Sequence, residues 1–281
     1  MTTRTMACRE LSLTLGEKTL IMGILNMTPD SFSDGGSYAS TEKAIERARQ
    51  MVAEGADIID IGGESTRPGA EKVSLEEELR RVLPVIEALR EAVGVPISVD
   101  TYKPEVAKRS LEAGAHIIND IWGFKDSPAM ARIAAEYDCP AILMHNRTDM
   151  NYGAFVPDVI ADLQESVRLA LASGVRAERI ILDPGIGFAK NYEHNLYLMN
   201  HLNGIVALGY PVLLGTSRKS FIQRTLQLPA EDVVEGTSAT VAIGIAQGCQ
   251  IVRVHDVKQM KRVAAMTEAI VHARNPIAQI D

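Results

Sequence analysis

Short apolar runs recur along the chain, and most of them follow a segment that ends in glycine. Glycine suits the left-handed position just past a helix end, and runs rich in Val and Ile suit strands that are buried on both faces. The pattern therefore predicts repeated units in which a helix leads into a strand. The joints are EGADIIDIGG (54–63), VGVPISVDT (93–101), AGAHIIND (113–120), SGVRAERIILD (173–183), LGYPVLLG (208–215) and QGCQIVRVH (247–255), with YDCPAILMH (137–145) as a variant that lacks glycine.

The segments between these runs have the spacing of amphipathic helices. In the first two segments, apolar residues recur three and four positions apart, at Ala44, Ile45, Ala48, Met51 and Val52, and at Leu79, Val82, Leu83, Ile86 and Leu89. Helix start signals agree with this spacing. They are a capping box of Ser74 with Glu77, a cap at Ser127 before a first-turn Pro128, and Asp256 with Gln259 at the last helix.

Eight strands can be counted from TLIMGILN (19–26) to QIVRVH (250–255), and a helical segment follows each of them. This count predicts a closed (β/α)8 TIM barrel, formed as one domain over residues 1–281. The stretch LSLTLGEKTL (11–20) predicts a small N-terminal β-hairpin outside the barrel. An open doubly wound sheet is the competing fold, but it predicts a phosphate motif such as G-x-G-x-x-G after the first strand, which the sequence lacks.

Composition and charge narrow the functional classes. The chain has 281 residues, 46% of them hydrophobic and 23% charged, and its net charge of −7 argues against a nucleic-acid-binding protein. Its cysteines, Cys8, Cys139 and Cys249, lack the close spacing of zinc or redox pairs, which favours a reducing compartment. The first residues lack the apolar core of a signal sequence, and no apolar run approaches the roughly 20 residues of a membrane span. We therefore expect a soluble, cytoplasmic protein with no nucleic-acid or membrane partner.

Polar residues follow the predicted strands at their carboxyl ends. In a barrel these ends open on one face, where the active sites of this fold lie. A polar residue at one strand end is also consistent with a helix cap or a solvated loop, but polar residues at all the ends predict a shared site. They are Asn26, Glu64 to Arg67, Asp100, Asn119, His145, Asp183, Thr216 to Ser220, and Arg253 with His255.

Seven motifs occur in order along the chain, and together they resemble the motif series of the dihydropteroate synthase family, enzymes of bacterial folate biosynthesis. The resemblance covers residues 10–273, approximately. It implies a transferase that condenses 6-hydroxymethyl-7,8-dihydropterin pyrophosphate with p-aminobenzoate through a pterin cation, giving 7,8-dihydropteroate and pyrophosphate. The motifs are GILNMTPDSFSDGG (23–36), DIGGESTRPGA (60–70), SVDTYKP (98–104), IINDIWG (117–123), LDPGIGFAK (182–190), LLGTSRKSFI (213–222) and VRVHDV (252–257).

The resemblance implies a pterin site at the strand ends. Asp183 is similar to the family carboxylate that accepts two hydrogen bonds from the pterin ring edge, and Asn119 matches the residue that meets the other ring nitrogens. For Lys219 the sequence alone leaves three possibilities, a solvated loop lysine, a Schiff-base lysine or a fixed cation, and the resemblance implies the third. The implied pterin contacts are Asp100, Asn119, Met144, Asp183, Phe188, Gly215 and Lys219.

The resemblance also implies a pyrophosphate site, because a leaving group departs when donors already in place meet its developing charge. The implied ligands of pyrophosphate are Asn26, Arg67, Arg253 and His255. Mg²⁺ prefers oxygen ligands and substrate phosphates, so it is the expected cofactor, with the amide oxygen of Asn26 as a metal ligand. The implied catalytic residues are Asp100, Lys219, Asn26, Arg253 and His255.

The loops after the first and second strands are implied to cover the site and to hold p-aminobenzoate. The implied contacts of this substrate are Phe32, Thr66, Pro68, Phe188, Lys219 and Ser220, with Ser220 at a helix N-terminus that receives the carboxylate. Asp34 is implied to hold the closed loop and the water ligands of magnesium. The family also implies a homodimer and inhibition by sulfonamide analogues of p-aminobenzoate.

Two other functions are compatible with a pterin-binding barrel. A methyltransferase that passes a methyl group from methyltetrahydrofolate to a corrinoid protein has no use for a pyrophosphate site or for the loops SDGG (33–36) and TRPG (66–69). A catalytically silent paralogue would bind pterin only, yet Asn26, both aspartates, Lys219 and Arg253 are all present. One further segment, GTSATVAIGIAQG (236–248), is rich in small residues and permits close packing within the barrel or between subunits.

Overall fold

The strands form a barrel and a separate hairpin. The structure is a computed structural model that describes residues 3–27, 36–65 and 71–273. The described strands are β1 (Arg4–Cys8), β2 (Leu11–Leu15), β3 (Leu20–Asn26), β4 (Ile58–Gly62), β5 (Ile97–Asp100), β6 (Ile117–Asp120), β7 (Ala141–Met144), β8 (Ile180–Asp183), β9 (Leu213–Leu214) and β10 (Ile251–Val254). The antiparallel strands β1 and β2 make the hairpin, and the other eight form one parallel sheet in the order β8-β7-β6-β5-β4-β3-β10-β9.

The sheet closes on itself between its first and last strands. A parallel bridge joins Leu182 of β8 to Val212, just before β9, and the amide of Leu182 donates to the carbonyl of Pro211 at 2.8 Å. The predicted (β/α)8 barrel is therefore confirmed. Because the strands are parallel, their carboxyl ends all lie at one mouth of the barrel.

Helices follow the strands and cover the barrel on the outside. The predicted apolar stripes face inward, since Ala44, Ala48 and Met51 of the first helix and Val82, Ile86 and Leu89 of the second are buried. The described helices are α1 (Gly36–Glu54), α2 (Leu75–Ala92), α3 (Pro104–Ala113), α4 (Pro128–Glu136), α5 (Phe155–Ala172), α6 (Tyr192–Met199), α7 (Leu202–Val206), α8 (Ser220–Leu226), α9 (Val234–Ala246) and α10 (Val257–Val271).

The predicted capping box at the start of α2 is only half formed. The hydroxyl of Ser74 accepts from the amide of Glu77 at 3.2 Å, as expected. The carboxylate of Glu77 does not return the bond, because it accepts from Arg80 and Arg81, each at 2.7 Å. Charge-assisted bonds to arginine are stronger than a bond to a backbone amide, so the side chain turns toward the arginines.

Two other predicted helix starts have the expected position without the expected side-chain cap. Ser127 precedes Pro128 at the start of α4, but its hydroxyl makes no capping bond. Asp256 precedes α10, and its carboxylate binds Arg218 through two bonds, of 2.6 and 3.1 Å, instead of capping the helix. Sequence position located both helices correctly, while the partner that draws Asp256 away from the cap, Arg218, lies 38 residues away in the chain.

The hairpin covers the N-terminal mouth of the barrel, opposite the carboxyl ends of the strands. Its apolar residues Met6, Cys8, Leu13 and Leu15 form one buried cluster with residues from inside the barrel, namely Leu20, Met22, Ile58, Ile117, Ile142, Ile181, Leu213 and Ile251. The hairpin is confirmed, but its predicted boundaries were wrong. Residues 11–15 pair with residues 4–8, and Leu20 already belongs to the first barrel strand.

The three cysteines are free and buried. Burial raises the pKa of each thiol to about 12, so the thiolate form is suppressed. Among the described residues, none of the helices combines the length and apolar character needed to cross a membrane.

Candidate active site

The carboxyl ends of adjacent strands bring the predicted polar residues together. Asp100 at the end of β5 is paired in register with Gly62 of β4 and with Asn119 of β6. Asp183 at the end of β8 is paired with Met144 of β7. These residues are buried, and they form the floor of the mouth that the sequence predicted.

The guanidinium of Arg253 lies between two carboxylates at the centre of this floor. Its Nε donates to Asp60 at 2.6 Å, and its Nη2 donates to Asp100 at 2.7 Å. Burial lowers the pKa of Arg253, but the negative charges of Asp60 and Asp100 raise it by more, so the pKa lies above its ordinary value. The sequence placed Arg253 with Asn26 and His255 as a pyrophosphate ligand, a role that stays a prediction.

Asp60 is a site residue that sequence reasoning missed. It is fully buried in the middle of β4, and the amide of Asn119 lies 3.4 Å from its carboxylate. A charged residue inside the apolar run DIIDIGG was the available signal, since a buried carboxylate needs a cationic or hydrogen-bonding partner.

Asp100 retains an unused acceptor. Its Oδ1 atom is buried and has no hydrogen-bond partner among the described residues, while Oδ2 accepts from Arg253. Burial raises the pKa of Asp100 to about 7, Arg253 opposes this rise, and the charge of Asp60 adds to it. A buried oxygen without a partner is costly, so the site favours a ligand that brings an N–H donor.

Asp183 is held by the turn that follows β8. Its Oδ1 accepts from the amide of Gly185 at 2.7 Å, and its backbone carbonyl accepts from the amide of His145 at 2.9 Å. Burial raises the pKa of Asp183, and the ammonium of Lys219 is the largest opposing influence. A Cβ atom on Gly215 would lie 3.9 Å from Asp183 Oδ2, so this predicted pterin contact is next to the carboxylate.

Lys219 is packed rather than free in solvent. Its Nζ donates to the carbonyl of Ile186 and lies 5.0 Å from the centre of the Phe188 ring. Burial lowers the pKa of Lys219 to about 8, although Asp183 raises it. The side chain passes over Gly187, whose φ is +88° and where a Cβ would approach Lys219 Cδ to 3.2 Å. These contacts favour the fixed cation over the solvated lysine.

The remaining predicted residues differ in their burial and in their contacts, and some lie outside the described residues. Met144 is buried at the end of β7, Phe188 is half-buried, and Ser220 is exposed as the first residue of α8. His255 pairs through Nδ1 with the hydroxyl of Ser217 at 3.0 Å. Five predicted residues lie outside the described part of the chain, namely Phe32, Asp34, Thr66, Arg67 and Pro68.

The residues present fit a cation that takes most of its ligands from elsewhere. No group of three His, Cys, Asp or Glu side chains within residues 3–27, 36–65 and 71–273 is arranged to hold a metal ion. Asp60 and Asp100 are already paired with Arg253. The amide oxygen of the half-buried Asn26 therefore remains as the predicted protein ligand of the ion. Mg²⁺ commonly binds through one or two protein oxygens together with substrate phosphates and water, which agrees with this sparse donor set.

Comparison with known proteins assigns the family. The model of the pterin-binding enzyme family matches residues 22–255. The dihydropteroate synthase of Bacillus subtilis (strain 168) is 60% identical over 261 residues, which are 93% of this chain and 92% of the relative. The chain belongs to the dihydropteroate synthase family. Members of this family are transferases, so the enzyme class predicted from the motifs is confirmed.

Solved structures of dihydropteroate synthases have the same fold. The enzyme of Clostridium difficile, crystallised in the presence of pteroic acid, has a TM-score of 0.89 and 47% identity, and the match covers 91% of this chain and 98% of that one. The enzyme of Yersinia pestis in a sulfonamide drug complex has a TM-score of 0.90 and 41% identity, covering 96% and 100%. These relatives favour the synthase over the methyltransferase and the silent paralogue.

Proposed function

We propose that this chain condenses 6-hydroxymethyl-7,8-dihydropterin pyrophosphate with p-aminobenzoate and releases 7,8-dihydropteroate and pyrophosphate. The observation that carries the proposal is the alternation of charges at the barrel mouth. Asp100 and Asp183 offer buried carboxylates, while Lys219 and Arg253 place cations beside them. Such a floor matches a flat heterocycle that has donors along one edge and a carbonyl along another.

The carboxylates and the cations have different roles toward the pterin. Asp183 accepts from the exocyclic amine and the adjacent ring N–H, and the unpartnered Oδ1 of Asp100 accepts from a second ring N–H. Lys219 donates to the pterin carbonyl and a ring nitrogen, and Asn119 supplies both donor and acceptor atoms. Met144 and Phe188 form the apolar walls of the proposed pterin pocket.

The reaction is a dissociative displacement at the methylene carbon of the pterin. The bond from this carbon to the pyrophosphate oxygen breaks, and its electron pair leaves with pyrophosphate. The resulting pterin cation is stabilised by the buried carboxylates, which attract a positive charge strongly in a site that excludes water. The amine nitrogen of p-aminobenzoate then bonds to the carbon and releases a proton to solvent, so no strong general base is required.

Pyrophosphate leaves toward donors at the ends of the first and last strands. We assign these roles to Asn26, Arg253 and His255, with Arg67 from the second loop. Asn26 would hold Mg²⁺ together with substrate oxygens and water, Asp34 would hold the water ligands, and the ion would supply Lewis-acid charge for the leaving group. Each well-placed donor is worth about 2.7–4 kcal/mol to a transition state.

The second substrate binds above the pterin. Phe32, Thr66 and Pro68 contact the p-aminobenzoate ring together with Phe188 and Lys219, and Ser220 receives the carboxylate. Pteroic acid combines a pterin with p-aminobenzoate, so its presence with the Clostridium difficile enzyme supports one pocket for both parts. The sulfonamide complex of the Yersinia pestis enzyme supports inhibition of this chain by p-aminobenzoate analogues.

The test is pyrophosphate release from dihydropterin pyrophosphate with and without p-aminobenzoate, while dihydropteroate is followed by chromatography. We expect product that requires both substrates and that falls strongly when a chelator removes Mg²⁺. Pterin binding without product would contradict the synthase and favour a silent paralogue. Turnover that survives the chelator would contradict the magnesium assignment alone.

We also propose that the enzyme is a cytoplasmic homodimer. Exposed apolar side chains are present on two packed helices, with Ile243 on α9 and Met266, Ile270 and Val271 on α10. Met266 and Ile270 are four residues apart and share a helix face, and apolar surface of this kind commonly marks an association site. Sedimentation velocity of the wild type and of Ile270→Glu tests the assembly, because a dimer through this face should dissociate in the variant.

A further inference from the structure

The turn between β8 and α6 carries essential parts of the proposed pterin site, and one β-turn hydrogen bond, from the amide of Phe188 to the carbonyl of Gly185 at 3.0 Å, lies within it. It runs from residue 184 to 190 and includes the amide that binds Asp183 and the wall residue Phe188. Three of its residues have positive φ, Gly185 at +65°, Gly187 at +88° and Ala189 at +47°. Glycine adopts positive φ without strain, but alanine does not, so the conformation of Ala189 depends on the contacts that surround it.

Side-chain donors hold the carbonyl groups of this turn. The ammonium of Lys190 donates to the carbonyls of Gly185 and Phe188, each at 2.9 Å. The hydroxyl of Tyr152 donates to the carbonyl of Ala189 at 2.8 Å. Lys190 therefore binds two carbonyls of the turn, that of Gly185, whose own amide holds Asp183, and that of the wall residue Phe188.

Lys190 is buried behind the pterin site without an ionic partner. It is 8% exposed, and it has no carboxylate within salt-bridge distance in the described part of the chain. Its third donor meets Nδ1 of His145 at 2.8 Å. An ammonium has three N–H donors, so the two carbonyls and the imidazole satisfy it completely.

His145 is fixed as the acceptor for Lys190. Its Nε2 lies 2.9 Å from Asp162 Oδ2, and Arg147 Nε donates to the same oxygen at 2.6 Å. A carboxylate can only accept, so Nε2 carries the hydrogen and Nδ1 presents its lone pair to Lys190. Burial lowers the pKa of His145 to about 4, which keeps the imidazole neutral near neutral pH.

We infer that Lys190, supported by His145 and Asp162, is a positioning residue that fixes the turn so that Asp183 and Phe188 keep the geometry required for pterin. This inference rests on the proposed function. A Cβ on Gly185 would lie only 2.0 Å from the carbonyl oxygen of His145, so the turn is packed directly on this support. Displacement of the turn therefore moves Asp183 and the ring of Phe188 together.

The experiment is a titration with 6-hydroxymethylpterin, which has no leaving group and so reports binding without turnover. The proteins are the wild type, Lys190→Met, Asp183→Asn and the double variant. Because a displaced turn leaves buried polar groups of the site without their pterin partners, we expect Lys190→Met to raise the pterin Kd by about 10- to 100-fold. In the double variant we expect less than the product of the single effects, because Lys190 acts partly through Asp183.

A matched control separates positioning from general loss of a buried charge. Lys125 is also partly buried and donates to a backbone carbonyl, that of Asn146, at 2.9 Å, but it does not bond to the turn. We expect Lys125→Met to leave the pterin Kd within about twofold of the wild type, because this change removes a neighbouring buried charge without a hydrogen bond to the turn.

Several outcomes overturn the inference. A wild-type Kd in Lys190→Met, or single effects that multiply fully in the double variant, shows that Lys190 does not act on the pterin site. If Lys190→Met does not fold, Lys190→Gln replaces it, because its side-chain amide keeps a donor in the same space. A wild-type pterin Kd in Lys190→Gln would contradict the inference as well. Absence of pterin binding by the wild type would overturn the proposed function as well, so the two failures are distinguishable.

Discussion

The guanidinium of Arg253 joins two carboxylates that the barrel buries on neighbouring strands. Asp60 has no exposed surface, and the Arg253 side chain is only 20% exposed. Two buried carboxylates on neighbouring strands repel each other unless a cation lies between them. Arg253 therefore has a role in the stability of the floor as well as its proposed role toward substrate.

We expect Arg253→Ala to destabilise the protein by about 3–5 kcal/mol, because it leaves buried charges without their partner. Urea denaturation measures the change. Arg218→Ala is the control, since Arg218 and Asp256 form a two-bond pair on a more exposed side chain, 33% for Arg218, and such pairs contribute about 1 kcal/mol or less. Equal losses in the two variants would contradict the buried role of Arg253.

The charge of Lys219 predicts a pH dependence of pterin affinity. Because burial lowers the pKa of Lys219 to about 8, the ammonium is present below that pH and is lost above it. We expect the pterin Kd to rise as pH increases through about 8. In Lys219→Arg the side chain stays charged, so that rise should disappear. A profile that is flat through this range in the wild type would contradict the fixed cation.

The titration of Lys219 should affect the free energy of unfolding in the opposite direction from pterin affinity, which falls as pH increases. The folded state favours the neutral amine of Lys219, so between about 8 and the ordinary pKa of 10.5 the unfolded chain binds more protons. The contribution of this group to the free energy of unfolding therefore rises with pH over that interval. Binding and stability measured on one sample thus separate the two effects.

The candidate site could be predicted where it depended on strand ends and could not where it depended on distant partners. Asp100, Asn119 and Asp183 were identified because each ends an apolar run. Asp60 lies inside such a run, and its partner Arg253 is 193 residues away. No local sequence pattern indicates that pair, because only the closed barrel brings the two residues together.

At the scale of elements, the small residues of α9 are explained by packing inside the barrel wall. A Cβ on Gly236 would lie 2.3 Å from Ile222 Cγ2, and one on Gly244 would lie 2.3 Å from Leu214 Cδ2. The sequence left open whether this helix packs within the barrel or between subunits. These glycines pack against α8 and β9 of the same chain, while the exposed Ile243 remains on the helix surface.

We expect Gly244→Ala to destabilise the protein by about 1–3 kcal/mol, because the added methyl group overpacks the contact with Leu214. Gly94→Ala is the matched control, since no atom lies within 4 Å of the added Cβ and Gly94 is not in the left-handed region. Urea denaturation of both variants measures the difference. A change in Gly244→Ala no larger than in Gly94→Ala would contradict this packing.

The elements themselves were predictable from periodicity, whereas their exact ends were not. The buried stripes of α1 and α2 follow directly from apolar spacing. The hairpin was misplaced because the polar turn before Leu20 resembles a hairpin turn, while the true partner strand at residues 4–8 has a weak alternating pattern. Short strands carry little periodic signal, so competition between neighbouring segments decides their pairing.

For the whole molecule, the barrel places an apolar cluster at one mouth and the charged candidate site at the other. The hairpin cluster around Leu15 lies at the N-terminal mouth, and the charged floor lies at the carboxyl ends of the strands. A substitution in the apolar cluster therefore makes no direct contact with the charged site at the opposite mouth.

We expect Leu15→Ala to lower the free energy of unfolding by about 2–5 kcal/mol, because it leaves a cavity in the cluster under the barrel. The pterin Kd should stay unchanged while the protein remains folded. Urea denaturation and pterin titration of the same preparation check both parts. A large rise in Kd at temperatures well below unfolding would show that the two mouths are energetically coupled.

The joint between β8 and β9 gives the barrel its least extensive strand pairing. β9 has two residues, and one bridge at Leu182 links the strands that complete the ring. Asp183 continues one side of this joint, and the segment to Lys219 continues the other. A pterin bound to both residues, as proposed, would link the two sides of this joint, so occupancy should slow amide hydrogen exchange there more than in β4 and β5. On this proposal the bound substrate would itself help to keep the ring of strands closed.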